Sequence, residues 1–555
     1  MSDSPRFTTF GKLISILLVA GLVALGAWML MPDFGQPAGP DSEEAASEAA
    51  DGEAPEVSEV QMQVPTLSPP APFNYRDNIV PIEISEYAGY AGLIAANGGL
   101  EPTENSLFFK NHGFKVRLTV SEEESWSALN EGKIAASVTT ADVLAAYGRQ
   151  LHAVVPAQIG FSRGADGLIT RTDIKRINQL KGRTIASAQF TEVDFFIRYL
   201  AQEAGLAINA IGSLDAAPHP DRLNLIYTED GFSAGDLFAS DLKSGRNRLA
   251  GAVTWEPKVS EVVSGSGGAA HVLTTNRNLL IIADVLIVHR GFAEQHPKVV
   301  EGLVQGLLEG NRMVRDRPDS QLDVIGRAFK WSRDDTKEEL SKVHLSNLPE
   351  NRAFFSGAID AAGSFGGIYQ SAVLAYGSDL IKDPPDASRF LDAKHLDALD
   401  KLGIFKEQVV AIAPIRSGAT ASVETDPLLT KDVRFLFEPN SANLDVSNQE
   451  NLANLDAIKR MLQVSPGSTM LLRGHVDNAR VEDFRRQGGE AYVRTQALRA
   501  MELSKNRAAE IQRLLVERHK VDIKRLDIVG RGWEEPSGPD AALNRRVEVQ
   551  WFTVE

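Results

Sequence analysis

The residues of this sequence that could do chemistry are suited to binding more than to catalysis. The 555-residue chain has no cysteine, which excludes disulfides, thiolate metal sites, cysteine nucleophiles and a lipid-bearing cysteine. Its histidines, among them His112, His152 and His219, are scattered along the chain. The sequence contains no Walker loop and no HExxH zinc motif. We therefore expect no enzymatic activity, no metal site and no cofactor.

The elements that must position the binding residues form an alternating pattern between residues 79 and 402. Short apolar strands are predicted at 79–85, 114–120, 134–139, 152–159, 168–171, 183–188, 249–253 and 285–289. Amphipathic helices follow many of them, as at 191–204 and 297–314. This alternation predicts a mostly parallel sheet with helices on both faces. Ligands of such sheets bind beyond the carboxyl ends of the strands, where loops enter helix N-termini.

Five segments in this region carry a resemblance. They are IEISEYAGYAGLIAANGG, ALNEGKIAASVTTADVLA, INQLKGRTIASAQFTEVDFFIRYLAQEAGL, LAGAVTWEPKVSEVV and IADVLIVHRGFAEQHPKVVEGLVQGLLEG, within residues 82–310. Their order resembles the periplasmic solute-binding proteins of ABC importers for nitrate, sulfonate, taurine and pyrimidine precursors. The resemblance implies a two-lobed α/β domain at 76–402 that closes on a small solute as a hinge. It also implies an ABC permease as partner. The superfamily contains pyrimidine-synthase enzymes, but the resemblance assigns them a Cys-rich motif that this chain lacks.

The candidate solute contacts lie at strand-to-helix junctions. They are Tyr87, Tyr90, Thr140, Phe190, Thr191, Trp255, Glu256 and Asp284, with Glu86, Thr139, Asp142 and Gln189 beside them. Each has a structural alternative. Thr140, Asp142 and Thr191 could be helix caps, the two tyrosines could pack against their loop, and Asp284 could hold a structural hydrogen bond. No cluster of Arg or Lys is evident at these junctions. That counts against a strongly anionic ligand and leaves a small organic or anionic solute open.

A second set of motifs follows a linker predicted at 403–426. GHVD, LSKNRA, GRG and NRRVEV occur in this order within residues 427–555. They resemble the OmpA-like peptidoglycan-binding domain, a smaller α/β domain. The resemblance implies that Asp477 and Arg507 hold the diaminopimelate of a peptidoglycan stem. A zwitterionic amino acid requires a carboxylate for its ammonium group and a guanidinium for its carboxylate. The alternative is an ordinary salt bridge between these two residues.

The C-terminal region departs from this family pattern in two places. Val476 stands where the family has a threonine, and the segment 478–501 roughly doubles the usual spacing between the two site residues. We expect this charged insert to extend a helix into solvent; the alternative is that it covers the site. Arg545 and Arg546 are expected to support strand pairing, or else to contact glycan.

The N-terminal region predicts the location of the chain. Residues 13–31 carry no charge and are long enough to span a bilayer. Arg6 and Lys12 precede them, which places residues 1–12 in the cytoplasm and the bulk in the periplasm. A cleaved signal peptide is the alternative. Residues 32–75, rich in Pro, Ala, Glu and Ser, are expected to be a disordered linker.

The whole sequence thus predicts a multidomain α/β and α+β protein of the bacterial inner membrane. Its expected partners are peptidoglycan, a small-molecule solute and an ABC permease, with one membrane span. A net charge of −16 argues against nucleic acid as a partner, because phosphate neutralisation requires clustered basic residues. The alternative function is an envelope scaffold or sensor whose solute-binding fold contacts a protein.

Overall fold

The computed structural model describes residues 56–121, 126–357, 363–412, 427–437, 441–465 and 467–553. The predicted membrane span at 13–31, the cytoplasmic segment 1–12 and the first part of the predicted linker, 32–55, lie outside the described residues. Most of the predicted joint at 403–426 does so too. In the described part of the chain, no helix combines the length and the apolar character that a membrane crossing requires.

The strands are numbered in chain order. They are β1 (Ile79–Ile84), β2 (Lys115–Val120), β3 (Ala136–Thr140), β4 (Ala153–Ser162), β5 (Asp166–Arg171), β6 (Thr184–Ala188), β7 (Ile208–Ala210), β8 (Leu223–Thr228), β9 (Gly251–Trp255), β10 (Ala270–Thr275), β11 (Ala283–His289), β12 (Val343–Leu345), β13 (Leu429–Val433), β14 (Thr469–Gly474), β15 (Leu526–Gly530) and β16 (Val547–Phe552).

The α-helices are numbered in the same way. They are α1 (Ala91–Asn97), α2 (Leu107–His112), α3 (Trp126–Asn130), α4 (Ala141–Tyr147), α5 (Glu192–Glu203), α6 (Gly231–Lys243), α7 (Lys258–Gly265), α8 (Arg290–Gln295), α9 (Pro297–Asp316), α10 (Leu322–Phe329), α11 (Arg333–Leu340), α12 (Leu348–Ser356), α13 (Phe365–Tyr376), α14 (Lys394–Leu402), α15 (Gln449–Val464), α16 (Val481–His519) and α17 (Ala541–Asn544).

Two sheets build the expected pair of lobes. Lobe 1 has the strand order β12-β4-β11-β3-β1-β2, and lobe 2 has β10-β5-β9-β6-β8-β7. The chain crosses between them at residues 162–166 and again at 275–283, which we call the crossing segments. Strands β3, β4 and β11 are buried along their whole length, as central strands covered on both faces are. The two-lobed α/β architecture predicted from the sequence is thereby confirmed.

The sheets are mixed, so the prediction of mostly parallel sheets was wrong. Strands β1, β2 and β3 pair in parallel in lobe 1, as do β6, β7, β8 and β9 in lobe 2. By contrast, β11 runs antiparallel to β3 and β4, and β5 runs antiparallel to β9 and β10. The antiparallel strands are mainly those that the crossing segments join. A chain that arrives from the other lobe enters the sheet from the opposite end.

Residues 56–75, which we call the strap, pack along the two-lobed domain. The Ser58 amide donates to the Tyr227 carbonyl of lobe 2 at 2.8 Å, and the Ala71 amide donates to the Asn130 carbonyl of lobe 1 at 2.8 Å. Farther along, Phe73 packs edge-on against Phe292. The prediction of disorder was therefore wrong for this part. Met62 is exposed, but six other apolar residues of the strap pack against the core: Val57, Val60, Val64, Leu67, Phe73 and Tyr75.

The C-terminal domain is built on a third sheet, with the order β13-β16-β14-β15, and on α15 and α16. Strand β13 ends at Val433, and in the loop that follows it Phe435 is buried in the core and Phe437 packs against it. This domain packs against lobe 2 through a hydrogen bond from the Ile177 amide to the Leu428 carbonyl at 2.9 Å. It also contacts a crossing segment, where the Leu280 amide donates to the Val464 carbonyl at 2.7 Å.

Candidate functional site

Three buried aspartates meet where the lobes join. Asp166 opens β5 directly after the first crossing segment, and Asp284 lies in β11 directly after the second. In the sheet register Asp284 stands opposite Thr140, the last residue of β3. Asp142 follows in the first turn of α4. The crossing of the chain thus brings Asp284 to two carboxylates that lie more than a hundred residues earlier in the sequence. We call Asp142, Asp166 and Asp284 the cleft carboxylates.

Part of this cluster is held by neutral hydrogen-bond donors. The Tyr90 hydroxyl donates to Asp284 Oδ1 at 3.2 Å. Asp166 Oδ2 accepts from the Ser162 hydroxyl at 2.5 Å and from the Asn276 side-chain amide at 2.7 Å. Both of these donors belong to the crossing segments. The two crossing segments therefore hold the Asp166 carboxylate in place.

The remaining polar atoms of the cluster are buried without a hydrogen-bond partner of good geometry. They are both carboxylate oxygens of Asp142, Oδ2 of Asp284, and the hydroxyls of Thr139, Thr140 and Tyr87. Buried polar groups in folded proteins are nearly always hydrogen-bonded, because an unpaired one loses its hydration without compensation. Thr140 and Asp284 are register partners and share a face of the sheet, whereas Thr139, one residue earlier in β3, belongs to the other face.

The carboxylates also act on one another. Burial raises the pKa of Asp142 to about 7 and that of Asp166 to about 6, and the charge of Asp166 adds to the shift at Asp142. Burial, followed by repulsion from Asp166, raises the pKa of Asp284 well above its ordinary value. Burial, followed by the charges of Asp284 and Asp166, raises the pKa of the Tyr87 hydroxyl well above its ordinary value. Each shift reports that negative charge is poorly stabilised here.

The structure brings together four of the predicted solute contacts: Tyr87, Tyr90, Thr140 and Asp284. Neither Thr140 nor Thr191 caps its helix through its side chain, so that alternative was wrong for both threonines. The sequence reasoning named Asp142 only as a neighbour and missed Asp166. Asp166 follows β4, a strand that was predicted to end at residue 159 and ends at Ser162. Its position in the cluster depends on the crossing of the chain between the lobes, which the sequence does not show.

The remaining predicted contacts have partners within the protein. Phe190 is buried against Tyr376, with ring centres 5.7 Å apart, and the Thr191 hydroxyl donates to the Ala188 carbonyl at 2.7 Å. Trp255 packs edge-on against Phe232. Trp255 is also the register partner of Asp166 in the antiparallel pairing of β5 with β9, so it lies beside the carboxylate cluster.

Two predicted residues make contacts that hold elements together. Glu256 accepts from the Ser260 amide and hydroxyl at 3.0 and 2.8 Å. It also lies 3.4 Å from the ammonium group of Lys342, which precedes β12 of lobe 1. Glu86 accepts from the Trp331 indole at 2.6 Å. Glu256 therefore ties the two lobes to each other.

A second candidate site lies in the C-terminal domain. Asp477 pairs with Arg545 at 3.5 Å and accepts from the Ala479 amide at 3.1 Å. The Arg507 guanidinium lies over the Phe437 ring, 4.9 Å from its centre, and donates from Nε to the Ser441 carbonyl at 3.1 Å. Burial lowers the pKa of Arg507; the nearby Arg545 lowers it further, and Asp477 opposes this. Asp477 and Arg507 are thus electrostatic neighbours.

Arg546, next to Arg545, has a structural place. It is buried and donates from Nε to Asp432 of β13 at 3.0 Å, whereas the Arg545 side chain is about half exposed. The expected role in strand pairing therefore fits Arg546.

The charged insert at 478–501 forms the start of α16, which has a break at Gly488 and Gly489. Most of its side chains are exposed, and Phe484 anchors it by stacking on Trp533 with ring centres 6.1 Å apart. Arg485 pairs with Glu482 and Glu490 across the break. The insert thus has the charged helical face that the sequence predicted.

One group of side chains has donor atoms spaced as in a metal site: His475, Glu535 and Glu548. Arg473, however, lies 2.8 Å from Glu535 and 2.9 Å from Glu548. A guanidinium that neutralises both carboxylates takes the place of a metal ion. These residues therefore do not fit one.

A catalytic pattern that the sequence reasoning passed over also occurs in lobe 2. Residues 231–235 read GFSAG, the G-x-S-x-G of a nucleophile elbow, between β8 and α6. Packing explains both glycines. A side chain at Gly231 would collide with the Trp255 ring, and one at Gly235 would collide with Lys258. The Ser233 amide donates to the helix cap Asp230 at 2.7 Å, so the motif forms an ordinary helix start.

Residues 436–549 match the model of the OmpA family. No curated protein matches the chain. Solved structures similar to the chain include the periplasmic aliphatic sulphonate binding protein SsuA from Escherichia coli, with 16% identity, coverage of 59% of this chain and 100% of that one, and a TM-score of 0.42. A ligand binding component of an ABC-type import system from Staphylococcus aureus, with zinc bound, has 14% identity, coverage of 57% and 98%, and a TM-score of 0.41. The periplasmic nitrate-binding protein NrtA from Synechocystis has 12% identity, coverage of 60% and 90%, and a TM-score of 0.41.

The family match covers the GHVD, LSKNRA, GRG and NRRVEV motifs and so confirms the resemblance of this region. The two-sheet topology with two crossing segments is the fold expected from the other resemblance. The chain therefore joins a two-lobed α/β domain to a C-terminal region that matches the OmpA family.

Proposed function

We propose that this protein is a solute-binding protein of the bacterial cell envelope that is held on peptidoglycan by its C-terminal domain. The observation that carries the proposal is the set of buried, unpaired polar atoms where the two lobes meet. A site of this kind lowers the stability of the empty protein and is compensated when a ligand pairs with it. Binding rather than catalysis is proposed because the open atoms of the cluster are hydrogen-bonding oxygens, which suit the holding of a ligand.

The proposed solute contacts are the cleft carboxylates with Tyr87, Tyr90 and Thr140. Helix α13 packs against both α4 of lobe 1 and α5 of lobe 2. Together with the Lys342–Glu256 pair, this describes lobes that are closed on each other. Opening them would expose the cluster, and closing them on a solute would bury it.

The proposed wall contacts are Asp477 and Arg507. Both side chains have hydrogen-bonding capacity left over, because Arg507 uses only Nε in its bond to the Ser441 carbonyl. A diaminopimelate stem presents an ammonium and a carboxylate on one carbon, which these two groups would bind. Arg545 already holds Asp477 and would have to yield or share it. Val476 provides no hydroxyl, so fewer hydrogen bonds are expected.

Residues 13–31 would anchor the chain in the inner membrane, with residues 1–12 in the cytoplasm and the rest in the periplasm. An ABC permease would then receive the solute. The support comes from the uncharged stretch and the basic residues before it.

The wall-binding half is tested by sedimentation of the full-length protein with purified peptidoglycan sacculi. We expect co-sedimentation, competition by a diaminopimelate-containing stem peptide, and loss of at least about tenfold in affinity in Asp477→Ala and in Arg507→Ala. Arg499→Ala, an exposed arginine of the same helix, is the matched control. Equal binding by the control and the two site variants would refute the assignment.

One observation favours a second function. The Leu280–Val464 hydrogen bond fastens the C-terminal domain to a crossing segment, which would restrict hinge motion. A scaffold or sensor with a fixed upper domain would tolerate this better than a transport receptor. Deletion of the gene would then change envelope integrity and leave uptake of every tested solute normal.

A further inference from the structure

Among the residues that the structure describes, no basic side chain pairs with a cleft carboxylate. The charged neighbours that act on Asp142 and Asp284 are other members of the same cluster. Arg163, which lies nearest in sequence, donates instead to the Arg277 carbonyl at 3.0 Å and to the Asn278 side chain at 3.3 Å. Three carboxyl groups are therefore gathered in a buried place with neutral donors only, and burial raises the pKa of each. This is the reverse of the positive environment that an anionic ligand requires.

The open atoms of the cluster are mostly acceptors. The oxygens of Asp142 and Oδ2 of Asp284 make no hydrogen bond of good geometry, and none of the three carboxylates is more than 4% exposed. The donors near Asp142 are local ones, the Thr140 hydroxyl and its own backbone amide. The Thr140 hydroxyl can accept as well as donate. A ligand that satisfies this set must bring several N–H or O–H donors, and positive charge would strengthen each bond.

Two aromatic rings stand beside the carboxylates. Tyr87 and Tyr90 pack edge to face, with ring centres 5.4 Å apart, and the Tyr90 hydroxyl is bonded to Asp284. Aromatic faces attract organic cations, and the attraction grows where water is excluded. Rings are poor ligands for a small metal ion, which prefers a shell of oxygen atoms.

We propose that the cleft binds a small organic cation, bearing an ammonium or amidinium group, whose charge is shared by Asp142 and Asp284 and whose carbon body packs against Tyr87 and Tyr90. This inference rests on the proposed function of the cleft and narrows it from a small organic or anionic solute to one charge class. The Thr140 hydroxyl supplies a further hydrogen bond.

The test measures thermal unfolding of the full-length protein with charge-matched probes. The pairs are putrescine with the corresponding butane diol, and choline with its neutral analogue in which carbon replaces nitrogen. Ethanesulfonate, nitrate and Mg²⁺ complete the set. A ligand of the folded state raises the melting temperature by mass action. We expect at least one cation to raise it and the neutral analogues to have no effect.

The variants connect the response to the site. Affinity for the cation should fall at least about tenfold in Asp142→Asn and in Asp284→Asn. Asp221→Asn, which removes an exposed lobe 2 carboxylate paired with Lys181, should leave it unchanged. Equal response to a cation and its neutral analogue, or a response that Asp142→Asn leaves intact, would contradict the inference.

The other outcomes separate the inference from the proposed function. A response to ethanesulfonate, nitrate or a neutral probe alone would overturn the cationic ligand and leave a working solute cleft. A response to Mg²⁺ alone would replace the organic cation by a metal ion and so also overturn it. No response to any probe, with sacculus binding intact, would remove the cleft half of the proposed function together with the inference.

Discussion

Asp142 and Asp194 occupy matching places in the two lobes, yet their surroundings are opposite. Each lies in the first turn of a helix that follows a buried strand, and each is fully buried. Asp194 accepts from the Phe190 amide at 3.1 Å and from Arg198 at 2.8 Å. Asp142 has no hydrogen bond of good geometry.

The difference separates a structural charge from a functional one. A buried carboxylate with a guanidinium and an amide is compensated within the protein, and removing its partner leaves an uncompensated charge. A buried carboxylate without partners lowers stability, so its presence indicates a partner from outside. Local sequence, a threonine shortly before an aspartate in both cases, does not distinguish the two.

The largest expected effect on stability comes from breaking the Asp194–Arg198 pair. Replacing Arg198 in Arg198→Met should lower the free energy of unfolding by about 3–5 kcal/mol, because Asp194 and the Tyr227 hydroxyl both lose their charged partner. Urea unfolding at neutral pH measures it. Arg333→Met, which breaks an exposed pair with Asp323, is the control and should change stability by less than about 1 kcal/mol. Similar losses of stability in both variants would show that Asp194 does not rely on Arg198 for its stabilisation.

Removing the charge of Asp142 should have the opposite effect on stability. Asp142→Asn is expected to raise the free energy of unfolding of the empty protein by on the order of 2 kcal/mol at pH 8. The folded-state pKa is raised from 3.8 to about 7. The wild type therefore loses stability as pH rises between these values, by at most about 1.4 kcal/mol per pH unit. The advantage of Asp142→Asn should thus shrink towards pH 4. A destabilised variant at pH 8 would mean that Asp142 has a structural partner.

A third carboxylate, which is partly buried, extends the comparison to the C-terminal domain. Glu548 pairs with Arg473, and its hydrogen bonds to His475 and Arg473 outweigh burial and lower its pKa from 4.5 to about 2. A depressed folded-state pKa contributes stability above the unfolded value, and this contribution disappears as pH falls through about 2. Glu548→Gln should therefore cost about 1–2 kcal/mol at pH 7 and almost nothing near pH 2. Thermal unfolding across this range measures the difference, and a loss that is independent of pH would contradict the pairing.

The smallest effect compares two adjacent arginines. Arg546→Ala should cost about 1–2 kcal/mol, since it leaves the bond to Asp432 unmade and a buried stem unpacked. Arg545→Ala should stay within about 0.5 kcal/mol, because its side chain is half exposed and pairs weakly with Asp477. Chemical unfolding of the two variants, side by side, checks the order. A reversal of that order would move the structural role to Arg545.

Much of the candidate site could be predicted from sequence, and the rest had a physical obstacle. Tyr87, Thr140 and Asp284 were predicted because strand ends and helix starts leave local signals. Asp166 was not, since its partners Ser162 and Asn276 meet it only through the crossing of the chain. The ordered conformation of the strap was also not predicted, because side chains from distant parts of the sequence provide hydrogen bonds to its backbone. The Leu67 amide, for example, donates to the Gln150 side chain at 2.8 Å.

The sequence by itself determined the elements, the two domains and the motifs of the OmpA region, because apolar periodicity and fixed motif spacing are local properties. Tertiary structure alone decided which buried charges are compensated. Asp194 meets Arg198 one helical turn away, whereas Asp142 faces carboxylates contributed by two distant crossings of the chain. Electrostatic environment depends on distances in space, and sequence fixes those distances only within a helix or a strand.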